Sequence, residues 1–203
     1  MAITNGYVTR NDVQQALGLG TAVLTPDSEE IDQVVTSVSR AIDDYCGRFF
    51  YSVAGTVTFT ADNYLFLPIV DFSAVTSVKT DENNDGTCEV TLTSGLDYRL
   101  VTNKVVPGWP YTGIQITSFG SHTLPLGVTE GVEVIGTRGW GANGVPDPVK
   151  AAALLQSSRV HARRQTPFGV AGSPEGGIVR LLSRLDPDVE LMLRPYRVIR
   201  EAV

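Results

Sequence analysis

A handful of residues have the types and spacing of known site chemistries. Asp81-Glu82-Asn83-Asn84-Asp85-Gly86 reproduces the D-x-N-x-D-G opening of a calcium loop. The twelfth position, where such a loop needs a bidentate Glu, is Leu92, and the flanks Val75–Lys79 and Glu89–Thr93 read as strands rather than helices. A polar hairpin turn, with Asp85-Gly86 taking the positive φ angles, accounts for the same residues. Gly139-Trp140-Gly141-Ala142-Asn143-Gly144 matches G-x-G-x-x-G. The dinucleotide fingerprint needs a parallel strand before it and a helix immediately after it. Here Val145-Pro146-Asp147-Pro148 delays the helix, so the match reads as a loop.

The remaining candidates are sparse. His122 and His161 lie in no metal-ligand spacing and read as surface residues. Cys46 closes a helix and Cys88 sits in a strand-like stretch; both read as small hydrophobes rather than nucleophiles. Asp43 and Asp44 are the one carboxylate pair of interest, placed on a helix as solvated or interface charges. Trp109 and Trp140, each in a glycine setting, fit packing between strands and helices better than a sugar or protein interface. Catalysis needs an acid, base, nucleophile or metal with perturbed reactivity. None is legible here, so no catalytic residue, metal or cofactor is expected and the chain reads as a non-enzyme.

The elements that must position these residues fall into three stretches. Residues 1–48 predict two helices. Thr9 caps the first with Asp12 three residues on, and Gly18 stops it. Thr25-Pro26 opens the second, whose stripe Ile31, Val34, Val35, Val38, Ala41, Ile42 and Tyr45 runs at three- and four-residue spacing until Gly47. Residues 49–144 predict short strands separated by Gly, Pro, Asn and Asp: Val57–Thr60, Tyr64–Leu67, Val75–Lys79, Glu89–Thr93, Tyr98–Val101, Ile114–Thr117 and Val132–Thr137. From 145 to 166 an Ala-rich helix is expected, with Asp147 as cap and Pro148 in first position. Residues 167–203 predict a loop rich in Gly and Pro, a helical stretch from about Ile178, and a last helix capped by Asp186-Pro187 and stopped by Pro195. The fold class expected is α+β: a helical bundle frame, an inserted antiparallel β module (small sandwich or barrel), and a C-terminal helical arm.

Composition narrows the function classes. Hydrophobic residues at 42% and charged residues at 19% describe a folded chain, not a disordered one. No apolar run approaches the roughly 18 residues needed to cross a bilayer. The first residues, Met1 to Gly6, form neither a charged n-region nor an apolar h-region, so synthesis in the cytoplasm with reduced thiols is expected. Residues 1–146 carry 7 basic and 16 acidic side chains, whereas 147–203 carry 9 and 6. An acidic body does not grip phosphates, though DNA can pass beside it. Basic stretches interleaved with aromatics, the mark of nucleic-acid readers, are absent.

Three landmarks bring a family into view. Ile42-Asp43-Asp44-Tyr45-Cys46-Gly47-Arg48-Phe49, then Val145-Pro146-Asp147-Pro148-Val149-Lys150-Ala151-Ala152, then Asp186-Pro187-Asp188-Val189-Glu190-Leu191-Met192-Leu193-Arg194-Pro195-Tyr196-Arg197 stand in that order. The chain thereby resembles the head-tail connector (head-to-tail adaptor) proteins of long-tailed phages. The resemblance implies a virion neck protein assembled in the host cytoplasm. It would form a homo-oligomeric ring, usually a dodecamer, docked between the portal protein and a tail-side stopper or tail terminator protein. Genomic DNA would pass through the lumen without sequence-specific binding. The β segment is larger than in the compact helical members. A basic arm after a flexible loop suits docking on a partner. Portal contact is expected from residues 178–203, with Leu185, Val189, Leu193 and Tyr196 as apolar anchors and Arg194 and Arg197 as polar contacts. Two other readings stay open: a different neck or tail-completion (stopper) protein, and a carbohydrate- or protein-binding β module.

Overall fold

The computed structural model describes residues 2–19, 26–103, 108–140, 144–164, 170–171, 179–180 and 185–198. The class is α+β: helices α1 (Arg10–Ala16), α2 (Pro26–Cys46), α3 (Asp147–Arg164) and α4 (Pro187–Leu193), and a six-stranded antiparallel sheet. The chain divides into two compact units, Met1–Phe49 with Val145–Val203, and Phe50–Gly144.

The first unit is helical. The Thr9 side chain accepts from the Asp12 N–H while the Asp12 carboxylate takes the Thr9 N–H, so both ends of a capping box are made. Along α2 the buried face is Ile31, Val34, Val35, Val38, Ile42 and Cys46. The stripe therefore ends on Cys46; Ala41 is exposed and Tyr45 only half-buried, one step round the helix from the expected positions. Thr25, the expected cap of α2, lies outside the described residues. Helix α3 begins at Asp147 rather than after it, because the Pro146 carbonyl already accepts the Val149 and Lys150 N–H groups. Its inner face is made of Val149, Ala152, Ala153, Gln156, Ser157 and His161. Small residues there let neighbouring helices approach closely. The same periodicity carries His161 inside, only 2% exposed, so the surface position expected for it is wrong. The segment around Ile178 is not helical where it is described: β7 (Val170–Ala171) pairs with β8 (Val179–Arg180), consistent with β-branched Val on each arm.

The second unit holds β1 (Val53–Phe59), β2 (Phe66–Thr80), β3 (Val90–Leu92), β4 (Tyr98–Val101), β5 (Tyr111–Ile116) and β6 (Val132–Arg138), in the order β1-β6-β2-β5-β4 with β3 on β2. Two expected strands meet in the one strand β2, which holds all of Val75–Lys79 but only Phe66 and Leu67 of Tyr64–Leu67, Tyr64 and Leu65 being a bend before it. Pro68 does not break it, because the register with β5 shifts between Pro68 and Phe72, and a bulge tolerates the missing N–H. Further shifts against β6 fall between Phe72 and Ala74 and between Val75 and Ser77. Bulges of this kind bend a strand, and side chains from all six strands meet in one cluster. It is centred on Leu67, Phe72, Val78, Ile114, Leu124 and Val132. Gly136 sits where the sheet is tightest: a Cβ there would lie 2.2 Å from the Ala74 carbonyl oxygen and 3.0 Å from the Val75 Cα.

Candidate functional site

The calcium-like loop resolves into a turn. It joins β2 to β3, and the Asp81 carboxylate, 1% exposed, accepts the N–H groups of Asn84 (2.7 Å), Gly86 (2.8 Å) and Asp85 (3.3 Å). The positive φ angles fall on Asn84 and Gly86 rather than on Asp85 and Gly86. A side chain that satisfies its own loop needs no ion to explain it. Asp81, Asp85 and Glu89 do bring carboxylate oxygens within 4.8 Å of one another, the one such group among the described residues. His122 pairs with Glu82 at 3.0 Å on the surface. Gly141, Ala142 and Asn143 of the glycine-rich match lie outside the described residues. Trp140 is buried, with Trp109 edge-on at 4.7 Å and Phe50 at 5.6 Å between ring centroids, all within the β unit.

In the helical unit the polar chemistry is that of fastening. Arg10 forks onto Asp32, which is 1% exposed. The Tyr7 hydroxyl donates to Asp43, the Tyr7 N–H to Ser39 Oγ at 3.1 Å, and Arg40 reaches both Asp43 (3.1 Å) and the Asn5 carbonyl (2.9 Å). Burial raises the Asp43 carboxyl to about 6, against the opposing pull of the Tyr7 hydroxyl and Arg40. Sequence spacing gave no sign of this cluster, since Tyr7 and Asp43 are 36 residues apart. Burial also raises the Cys46 thiol, to about 11, so this cysteine is no nucleophile at neutral pH.

The landmarks at the end of α2 and at the end of the chain touch. The Val198 N–H donates to the Cys46 carbonyl at 2.8 Å, and the Arg197 guanidinium lies 4.9 Å over the Tyr45 ring. Gly47 turns the chain at φ +65, and a Cβ there would stand 3.7 Å from Val198. Upstream, Asp186 caps α4 through the Asp188 N–H at 3.0 Å. The Asp186 carboxylate also pairs with Arg159 of α3, which lies 3.9 Å from Asp188 as well. The Asp186 N–H donates to Gln156 Oε1 at 3.4 Å.

Of the residues expected to dock, Val189 and Leu193 are fully buried within their own unit. Leu185 and Tyr196 are half-buried, whereas Arg194 and Arg197 are exposed. Burial raises the Tyr196 hydroxyl pKa, with Asp147 adding to it. The exposed apolar residue of this segment is Leu191, at 69%, on the face away from the helices. Helical phase picks it out: Val189 and Leu193 share one face, and Leu191 falls opposite.

No family model and no curated protein sequence matches the chain. Solved structures do. A chain in the neck of an empty gene transfer agent (GTA) particle, computed with C6 symmetry, aligns over 100% of this chain and 95% of its own length, at TM-score 0.59 and 19% identity. A chain of the virion of a native GTA particle does so over the same shares, at TM-score 0.59 and 20% identity. A third, from the neck of a native GTA particle computed with C12 symmetry, covers 100% and 94% at TM-score 0.58 and 17% identity. At such identity the likeness is one of fold, and it runs end to end. Among the described residues, no helix is long and apolar enough to cross a membrane.

Proposed function

We propose that the chain is a structural subunit of a virion neck: a head-to-tail adaptor that forms a homo-oligomeric ring beneath the portal, joins capsid to tail, and leaves a lumen for genomic DNA. The observation that carries this is the end-to-end match of fold to neck chains of GTA particles, both units included. A twelve-subunit ring is the natural count, given necks of C6 and C12 symmetry in those particles. Polar contacts used for fastening rather than for reaction, and an acidic body that does not hold DNA, agree with it.

Within this reading the segment Leu185–Val198 meets the portal. Val189 and Leu193 hold α4 on its own subunit, which leaves Leu191, Arg194 and the outer sides of Tyr196 and Arg197 for the partner. Electron microscopy of the purified chain, alone and mixed with portal rings of the same particle, tests the proposal. Closed rings, free or seated coaxially on the portal, are expected. A chain that stays monomeric and binds no portal in both settings sinks it. Leu191→Glu with Arg194→Glu, both at exposed positions, should abolish portal binding without changing the helical circular dichroism. Undiminished binding would overturn the assignment of the docking face.

A further inference from the structure

Leu65-Phe66-Leu67-Pro68-Ile69-Val70 is a six-residue apolar run without alternation. Five of these residues, Phe66–Val70, lie in β2, and a short continuous apolar run in a strand is the pattern of one covered on both faces. The inner face is accounted for, since Leu67 and Ile69 are buried in the core. The outer face is not: Phe66 is 38% and Val70 43% exposed, and Pro68 between them is exposed too. Strand pairing extends this face across three strands. Phe66 lies opposite Gln115, which lies opposite Arg99; Pro68 lies opposite Gly113, which lies opposite Val101, 37% exposed. Residues directly opposite in an antiparallel pair project to the same side. Gly113 keeps the face flat, because a Cβ there would come within 2.6 Å of the Phe66 ring.

Resting on the ring reading above, we propose that this outer face of β2, β5 and β4 is a subunit–subunit contact, covered by the next copy of the chain. Charge selects the occupant. Arg99 is the one charged side chain in these two rows. The β unit it belongs to, residues 50–144, carries 9 acidic and 4 basic residues, and the whole chain is at -6. A face-to-face pair of identical copies would bring the two arginine-bearing rows together. A head-to-tail contact sets Arg99 against the acidic surface of the neighbour, and contacts of that heterologous kind are those that close into rings. An apolar centre with a single Arg beside it is also the composition that carries binding at interfaces.

The test is photo-crosslinking in assembled rings. Val101→Cys in a Cys88→Ser background leaves one reactive thiol, because Cys46 is fully buried, and it is labelled with a benzophenone maleimide. Chain–chain adducts on irradiation of rings, alone or on the portal, are expected. Val70→Glu, an exposed position the fold should tolerate, is expected to cut ring yield at least tenfold with the circular dichroism unchanged. Rings that yield no chain–chain adduct, or adducts with portal or tail protein only, overturn this inference and leave the ring reading intact. A wild-type chain that forms no ring in either setting overturns both.

Discussion

Asp43 carries a carboxyl whose ionisation is opposed by its burial in the fold. Its carboxyl is 15% exposed on α2 and faces the Tyr7 hydroxyl from the N-terminal segment, with Arg40 and Asp44 on its own helix. Its pKa rises from 3.8 to about 6, with desolvation as the largest cause. Between those pH values the folded chain binds a proton the unfolded chain releases, so stability falls as pH rises. The contribution is present below about pH 4 and lost above about pH 6. A rise of this size corresponds to about 3 kcal/mol as a ceiling, and solvent screening reduces this to about 1–2 kcal/mol. Asp43→Asn keeps an acceptor for Tyr7 and removes the ionisation. It is expected to stabilise the helical unit by about 1–2 kcal/mol at pH 7.5, to do nothing at pH 4, and to flatten the pH profile between. Urea unfolding followed at 222 nm measures this, because α1 to α4 all lie in the helical unit while both tryptophans lie in the other. Destabilisation of the variant by more than 1 kcal/mol at pH 7.5 would refute the reasoning. It would mean that the ionised Tyr7–Asp43–Arg40 cluster outweighs the burial of its charge.

Other expectations follow from packing and burial. Ile42→Ala empties a fully buried site on α2 and should cost about 2–5 kcal/mol, read from the same transition. Gly136→Val must displace the Ala74 backbone, so the tryptophan transition should move to lower urea with the 222 nm transition unchanged. A thiol reagent at pH 8 should titrate one cysteine per chain quickly, the partly exposed Cys88, and reach Cys46 only on unfolding. Asp186→Ala removes the α4 cap and the partner of Arg159 together; a loss of about 1–2 kcal/mol is expected, seen as faster hydrogen exchange confined to α4.

How far the sequence could be read depends on how local each cause was. The caps at Thr9 and Asp186, the stop at Gly47 and the strand Tyr98–Val101 follow from neighbours within a few residues, and they stand where expected. The unity of β2 was hidden, because Pro68 and Asp71 punctuate it locally and only the bulged pairing with β5 and β6 makes it continuous. His161 was read as a surface residue because it lies in no metal-ligand spacing; the signal that places it inside is the small-residue stripe of Ala152, Ala153 and Ser157 on the same face. In the segment expected to dock, the apolar residues were legible but their side was not. Val189 and Leu193 are buried within their own chain, a distinction that periodicity alone does not draw.

The hydrogen bond from Val198 to Cys46 has a mechanical consequence. It ties the end of the described chain to the last residue of α2, a few residues before the backbone enters the β unit at Phe50. Tension applied to the terminal segment would therefore enter α2 at its C-terminal end. It does so through one backbone bond and the Arg197–Tyr45 stack, instead of dissipating in a loose tail. Such a joint couples the terminal segment to the helix end at Tyr45, Cys46 and Gly47.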